Sequence, residues 1–170
     1  MSTRDLIASW LFKEQWDFTE RPTFEEFDAY SSACLAGASA DGALADAERD
    51  WVVGYFATIG LPDEYIPSFQ AAQPQALTQE LVDRLRAFRR TPAGQESCRG
   101  LVYDCARAAG ADSEYHPDES RAVHEIARVL EIDDSVTNQI EEFYRQEQAL
   151  KAAKLKVLFP QGIRFMSVAS

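Results

Sequence analysis

Apolar positions recur along this chain at three- and four-residue spacings. No useful length before residue 155 alternates with period two, so the pattern predicts an all-α fold. In residues 4–18, Leu6/Trp10 and Ile7/Leu11 stand four apart among charges and predict an amphipathic first helix, ended by Arg21-Pro22. Thr23 reads as an N-cap, with Glu26 closing a capping box. Phe24, Phe27, Tyr30 and Cys34 then stripe a second helix running from about Phe24 to Ser39. Trp51, Val52, Tyr55, Phe56 and Ile59 give a third helix, from about Asp46, its buried face, and Gly60 stops it. A short helix or turn runs from Leu61 to about Gln70. Leu77, Leu81, Leu85 and Phe88 mark the next helix, with Thr78 as its cap. Thr91-Pro92 opens another, to about Ala109, with Leu101, Val102 and Cys105 inward. His116-Pro117 starts a helix that buries Val123, Ile126, Ala127 and Leu130. Asp133 or Asp134 caps a last long helix with Val136, Ile140, Phe143, Tyr144 and Leu150 on one side. The apolar segment 157–166, interrupted by Pro160, is expected to fold back over the core, because each large side chain left in water costs roughly 1.5–3 kcal/mol. The alternative is that it docks in a partner's groove or in a second copy of the chain.

Within this pattern one stretch occurs twice. Asp41-Gly42-Ala43-Leu44-Ala45-Asp46-Ala47-Glu48 and Asp112-Ser113-Glu114-Tyr115-His116-Pro117-Asp118-Glu119 share a frame at an offset of 112 − 41 = 71 residues. The same offset carries Cys34 onto Cys105, Val52 onto Val123, Tyr55 onto Ile126, Ile59 onto Leu130 and Leu61 onto Ile132, without a gap. Such sustained register indicates an internal repeat.

Composition narrows the function classes. At 170 residues, 46% of them hydrophobic, the chain can bury one good core. Its formal net charge of −11 opposes nucleic-acid phosphate and anionic lipid, and suits cations or basic partners. Three cysteines do not make a secreted disulfide framework; Cys34 and Cys105 read as core residues, and Cys98, nearer a helix start, as a candidate for exposure. The first residues meet Lys13 and Glu14 before any signal-like apolar run, and no stretch approaches a membrane span, so a cytoplasmic protein is expected. Arg84, Arg86, Arg89 and Arg90 form a cluster that reads as a solvated, salt-bridged helix face or as a partner site.

The chemistry concentrates in the repeated acidic stretches. In the first, Gly42, which can take a left-handed conformation, follows the aspartate and Leu44 can anchor the loop in the core; in both, the glutamate falls in the first turn of the next helix, with Ala45 or His116 at the cap. First-turn carboxylates are favoured by the helix dipole and accept free N–H groups, which explains the acidity without a ligand. They equally supply oxygen donors: Asp41 with Glu48, and Asp112 with Glu119, could converge across each loop on a hard cation such as Ca²⁺ or Mg²⁺. Zn²⁺ suits them less, since His116 and His124 are 8 apart and no cysteine pair is near. Neither loop has the ligand alternation of an EF-hand. A hydrolase-like enzyme would need paired carboxylates in a cleft. These read instead as exposed helix starts, so no catalytic residue is assigned.

The stretches 38–48 and 109–119 resemble the paired signature of the tellurite-resistance TerB-like family, which also includes the N-terminal domain of a membrane-anchored DnaJ-type co-chaperone. The resemblance covers about residues 24–145. It implies a compact bundle of about seven or eight helices, in which two helical repeats pack with approximate two-fold relation. The domain would occupy 21–150, with an N-terminal helix (1–20) packed on it and an apolar tail (151–170) beyond. It further implies a non-enzymatic accessory or protein-interaction domain, stress-related in its setting, with a protein partner or self-association. A divalent cation (Ca, Mg or Zn) would bind through Asp41, Glu48, Asp112 and Glu119; the alternative is a scaffold without metal. Ser113, standing where the family's second loop has glycine, puts that loop's geometry in question.

Overall fold

The computed structural model describes residues 3–19 and 24–162, apart from the side chains of residues 4 and 24–26. Among the described residues there are eight α-helices and no strand: α1 (Thr3–Trp16), α2 (Phe24–Ala38), α3 (Asp46–Thr58), α4 (Ile66–Gln70), α5 (Gln79–Arg89), α6 (Pro92–Ala109), α7 (Pro117–Val129) and α8 (Asp134–Leu158). A 3₁₀ turn at Asp63–Tyr65 leads into α4. Two expected caps form, Thr78 accepting from the Leu81 N–H and Thr91 from the Gly94 N–H ahead of Pro92-led α6, while Asp133 takes the cap position of α8 without a side-chain cap bond. The capping box expected of Thr23 and Glu26 lies outside the described residues.

The core is built around the crossing of α2 and α6. Both helices bury small residues there, among them Ala33, Cys34 and Ala38 on α2 and Cys105, Ala108 and Ala109 on α6, so the backbones approach closely. The Cys34 and Cys105 sulfurs lie 3.9 Å apart at the crossing. Around it pack Val52 and Phe56 of α3, Leu85 and Phe88 of α5, and Val123, Ile126 and Ala127 of α7. Tyr30 sets its ring edge-on against Phe56 and Phe88. Its hydroxyl donates to Asp104, a carboxylate buried between the helices (2.9 Å). Arg107 neutralises Asp104 at 3.2 Å and lies over the faces of Trp51, Tyr55 and Tyr103. Burial pushes Asp104 up to about 6, against the pull of Arg107 and two tyrosine hydroxyls. Such an ion is tolerated inside only because its oxygens are paired and hydrogen-bonded.

Four expectations are corrected by tertiary packing. First, α1 buries Ala8 and Phe12, while Leu6, Ile7 and Trp10 are exposed: α1 lies on the bundle through the other side of its wheel. Second, Cys98 is buried, because Gly94 lets the start of α6 sit directly on the end of α5. Third, Phe143 and Leu150 are exposed, since α8 meets the body through Thr137, Ile140, Glu141 and Tyr144 instead. Fourth, Val157, Leu158 and Phe159 do not fold back over the core; α8 continues to Leu158, and these side chains are exposed. Residues 163–166 of the expected tail lie outside the described residues.

The arginine cluster resolves into ion pairs that are partly tertiary. Arg86 pairs with Asp83 on its own helix, Arg84 with Asp28 of α2, and Arg89 with Glu131 after α7. Among the described residues no helix is long and apolar enough to cross a membrane.

Candidate functional site

Each acidic loop is a short link between consecutive helices packed on each other, α2–α3 and α6–α7, and the two are built alike. Asp41 Oδ1 accepts the Ala43 N–H at 2.9 Å; Asp112 Oδ1 accepts the Glu114 N–H at 2.8 Å. These side-chain turns set up the left-handed residue that follows each aspartate: Gly42 at φ 97° and Ser113 at φ 77°. The serine therefore takes the glycine's conformation, and the second loop keeps the geometry of the first. Leu44 turns back into the core as expected.

The glutamates close the loops. Glu48 accepts the Ala45 N–H at 2.6 Å, and Glu119 accepts the His116 N–H at 2.7 Å, each reaching back from the third helical residue to its own cap. His116 adds the reciprocal half of its cap, Nδ1 accepting the Asp118 N–H at 3.2 Å. Pro117 follows at the first helical position, where no N–H is missed. Each downstream helix ends alike too, with the Leu61 N–H on the Phe56 carbonyl and the Ile132 N–H on the Ala127 carbonyl, both at 2.9 Å.

Asp41 and Asp112 are exposed loop residues, while the glutamates are helix-start residues as expected but are not exposed. Glu48 and Glu119 are both only 4% exposed. They lie near each other across the two loops, close enough for each to act on the other's protonation. Burial raises the pKa of both, and the negative charge of Asp41 bears on both as well, while the two backbone N–H bonds oppose the rise. Two carboxyls this close do not titrate independently; their protons leave as a pair. The approach is between loops, Glu48 to Glu119, and the charges of Asp41 and Asp112 bear on Glu48. The 71-residue offset marks the two glutamates as equivalent positions but does not announce that they are neighbours.

The donor set is four carboxyl groups, hard oxygens of the kind Ca²⁺ and Mg²⁺ accept. Asp41 and Asp112 each spend one oxygen on a backbone N–H, and Glu48 and Glu119 likewise. The set suits a hard cation chemically, provided that both glutamates are ionised. Among the described residues no group of three or more His, Cys, Asp or Glu side chains stands ready-converged on a metal position. Zinc is poorly served, since His116 uses Nδ1 for its cap and His124 faces Asp134 and Glu141.

Two further polar features escape sequence reasoning. Glu141, buried on α8, accepts from the Tyr115 and Ser120 hydroxyls at 2.7 Å each and pairs with Arg145, which ties α8 to the second acidic loop and α7. A surface cleft of about 660 Å³ is lined by Arg89, Arg99, Cys98, Leu130, Ile132 and Val136 among others, and by none of the four loop carboxylates.

Comparison with known proteins bears on the whole bundle. A family described as tellurite resistance protein TerB matches residues 27–152. A crystal structure of a tellurite resistance protein from Nostoc punctiforme is 27% identical, with a TM-score of 0.78, and covers 97% of this chain and 100% of that one. No curated protein matches the chain.

Proposed function

The chain belongs to the TerB family, and from that premise we propose that it is a non-enzymatic, cytoplasmic accessory domain that binds a divalent cation at Asp41, Glu48, Asp112 and Glu119. The observation that carries this is the meeting of Glu48 and Glu119, two buried carboxyls held against each other with two more acidic residues beside them. Burial of two ionised carboxylates together is costly, and a cation that displaces their protons would relieve it. Ca²⁺ or Mg²⁺ is the fitting class. We read the domain as 21–150, with α1 packed on it and 151–170 as a tail. Its α2–α3 and α6–α7 pairs, whose second helices correspond end to end at the 71-residue offset, would be repeats related by an approximate two-fold axis.

The test is a thermal melt with Ca²⁺, Mg²⁺ or Zn²⁺, run beside Asp41→Asn/Asp112→Asn. At a hundredfold excess over Kd the cation adds about 2.7 kcal/mol, roughly 5–10 °C for a chain of this size. The double variant should show little of that rise. Equal responses, or none in either protein, would leave a scaffold whose carboxylates only cap helices.

A second reading, protein interaction, is favoured by a separate observation: the large apolar side chains exposed along α8.

A further inference from the structure

The three most exposed large apolar side chains among the described residues are Val157 (79%), Leu150 (69%) and Phe143 (63%). They are spaced seven apart on one helix, so they form a single stripe down α8. From residue 145 to 162 every residue is exposed, so the last turns of α8 stand clear of the body. A helix end without tertiary support is marginal in water.

The charges beside the stripe have a direction. Glu142 and Glu147 precede Leu150; Lys154 and Lys156 follow it. Two such helices laid antiparallel about Leu150 bring Phe143 opposite Val157 and Leu150 opposite Leu150. The same arrangement brings Glu147 beside Lys154, and Glu142 beside Lys156, on the two flanks. A parallel pair would set glutamate against glutamate and lysine against lysine, which repels. Glu147, bonded to the Tyr103 hydroxyl at 2.5 Å, is held in place on its flank. An anionic lipid surface would attract the three lysines at 151, 154 and 156, but it would meet Glu142 and Glu147 on the same stripe and a chain of net charge −11 behind it.

We propose that this face binds a second copy of the chain, α8 packing antiparallel on α8 across a two-fold axis at Leu150. The proposal rests on the protein-interaction reading above and not on the cation site. By sedimentation of the full chain from about 1 to 100 µM, the mass should rise from 19.1 kDa towards twice that value. Leu150→Glu should hold it at the monomer mass with an unchanged far-ultraviolet spectrum, since Leu150 is exposed in the single copy. Lys154→Glu/Lys156→Glu should also be monomeric alone, and should form mixed dimers with Glu142→Lys/Glu147→Lys. A wild type that stays monomeric throughout overturns the proposal, as does a dimer indifferent to Leu150→Glu. Leu150-dependent binding of the monomer to phosphatidylglycerol vesicles would also overturn it and assign the face to lipid. The cation melts, repeated on the Leu150→Glu protein, keep failure of either proposal distinguishable from failure of the other.

Discussion

At the residue scale, an acidic loop needs its glutamate to accept the N–H of the cap, and an exposed carboxylate would do that equally well. Burial against the counterpart loop changes the protonation. Burial, with the neighbouring charge of Glu48, pushes Glu119 up to about 8. In the unfolded chain the same group releases its proton near 4.3. Between those values the folded state holds a proton that the unfolded state has lost, so this pair's contribution to stability falls as pH rises through the window. Glu119→Gln keeps an acceptor for the His116 N–H and a donor for Glu48, and it cannot ionise. It should flatten that slope and raise the midpoint at pH 8 by roughly 3 °C, about 1 kcal/mol. Melts of both proteins at pH 5 and pH 8 check this, and parallel slopes would refute it. The glutamates' positions were legible in the chain, because Ala45-x-x-Glu48 and His116-x-x-Glu119 are helix starts. Their burial was not, because nothing local says that two loops 71 residues apart face each other. Asp104 is the same case: on a helical wheel it is one more acid, and only Tyr30 and Arg107, brought to it by folding, make its burial tenable.

At the scale of elements, caps and stops were readable because they rest on neighbouring residues: Thr78, Thr91, Pro117 and Gly60 act where they stand. The faces of α1 and α8 were not, because either helix carries apolar residues on more than one side and its neighbours choose among them. One junction shows how narrow that choice is. Tyr144 of α8 donates to the Gly110 carbonyl at 3.0 Å, at the end of α6, and a Cβ on Gly110 would overlap the Tyr144 hydroxyl. Gly110→Ala should therefore destabilise by about 1–3 kcal/mol, the range for overpacking, and Tyr144→Phe in the same chain should recover part of the loss. A double-mutant cycle of thermal or denaturant melts checks the coupling; additive losses would mean that the two residues do not clash.

At the scale of the molecule, the bundle is complete without the end of α8. Its core runs from Phe12 to Ile140, while every residue from 145 to 162 is exposed. A chain ending after Gln148 should keep its fold: at concentrations where both proteins are monomeric, its midpoint should lie within a few degrees of the full chain's, as surface changes within about 0.5 kcal/mol allow. The helical signal should fall only by the share of the removed turns. A midpoint drop beyond 10 °C, several kcal/mol at this size, would mean that the tail covers core after all. The acidic loops are likewise a property of the whole: each closes on its own backbone, and the Glu48–Glu119 contact exists only because α2–α3 and α6–α7 pack together.

The sequence by itself determined the all-α class, most helix starts and stops, and the 71-residue register between the two acidic stretches. These depend on hydrophobic period, capping chemistry and spacing, all of which act over a few residues. Tertiary structure decided which face of α1 and α8 is buried, that Cys98 is covered, that the two glutamates meet, and that the apolar end of α8 stays in solvent. Those outcomes depend on what a distant segment places beside a residue, and burial, which sets both the packing energy and the protonation of a carboxyl, is a relation between segments that no local pattern encodes.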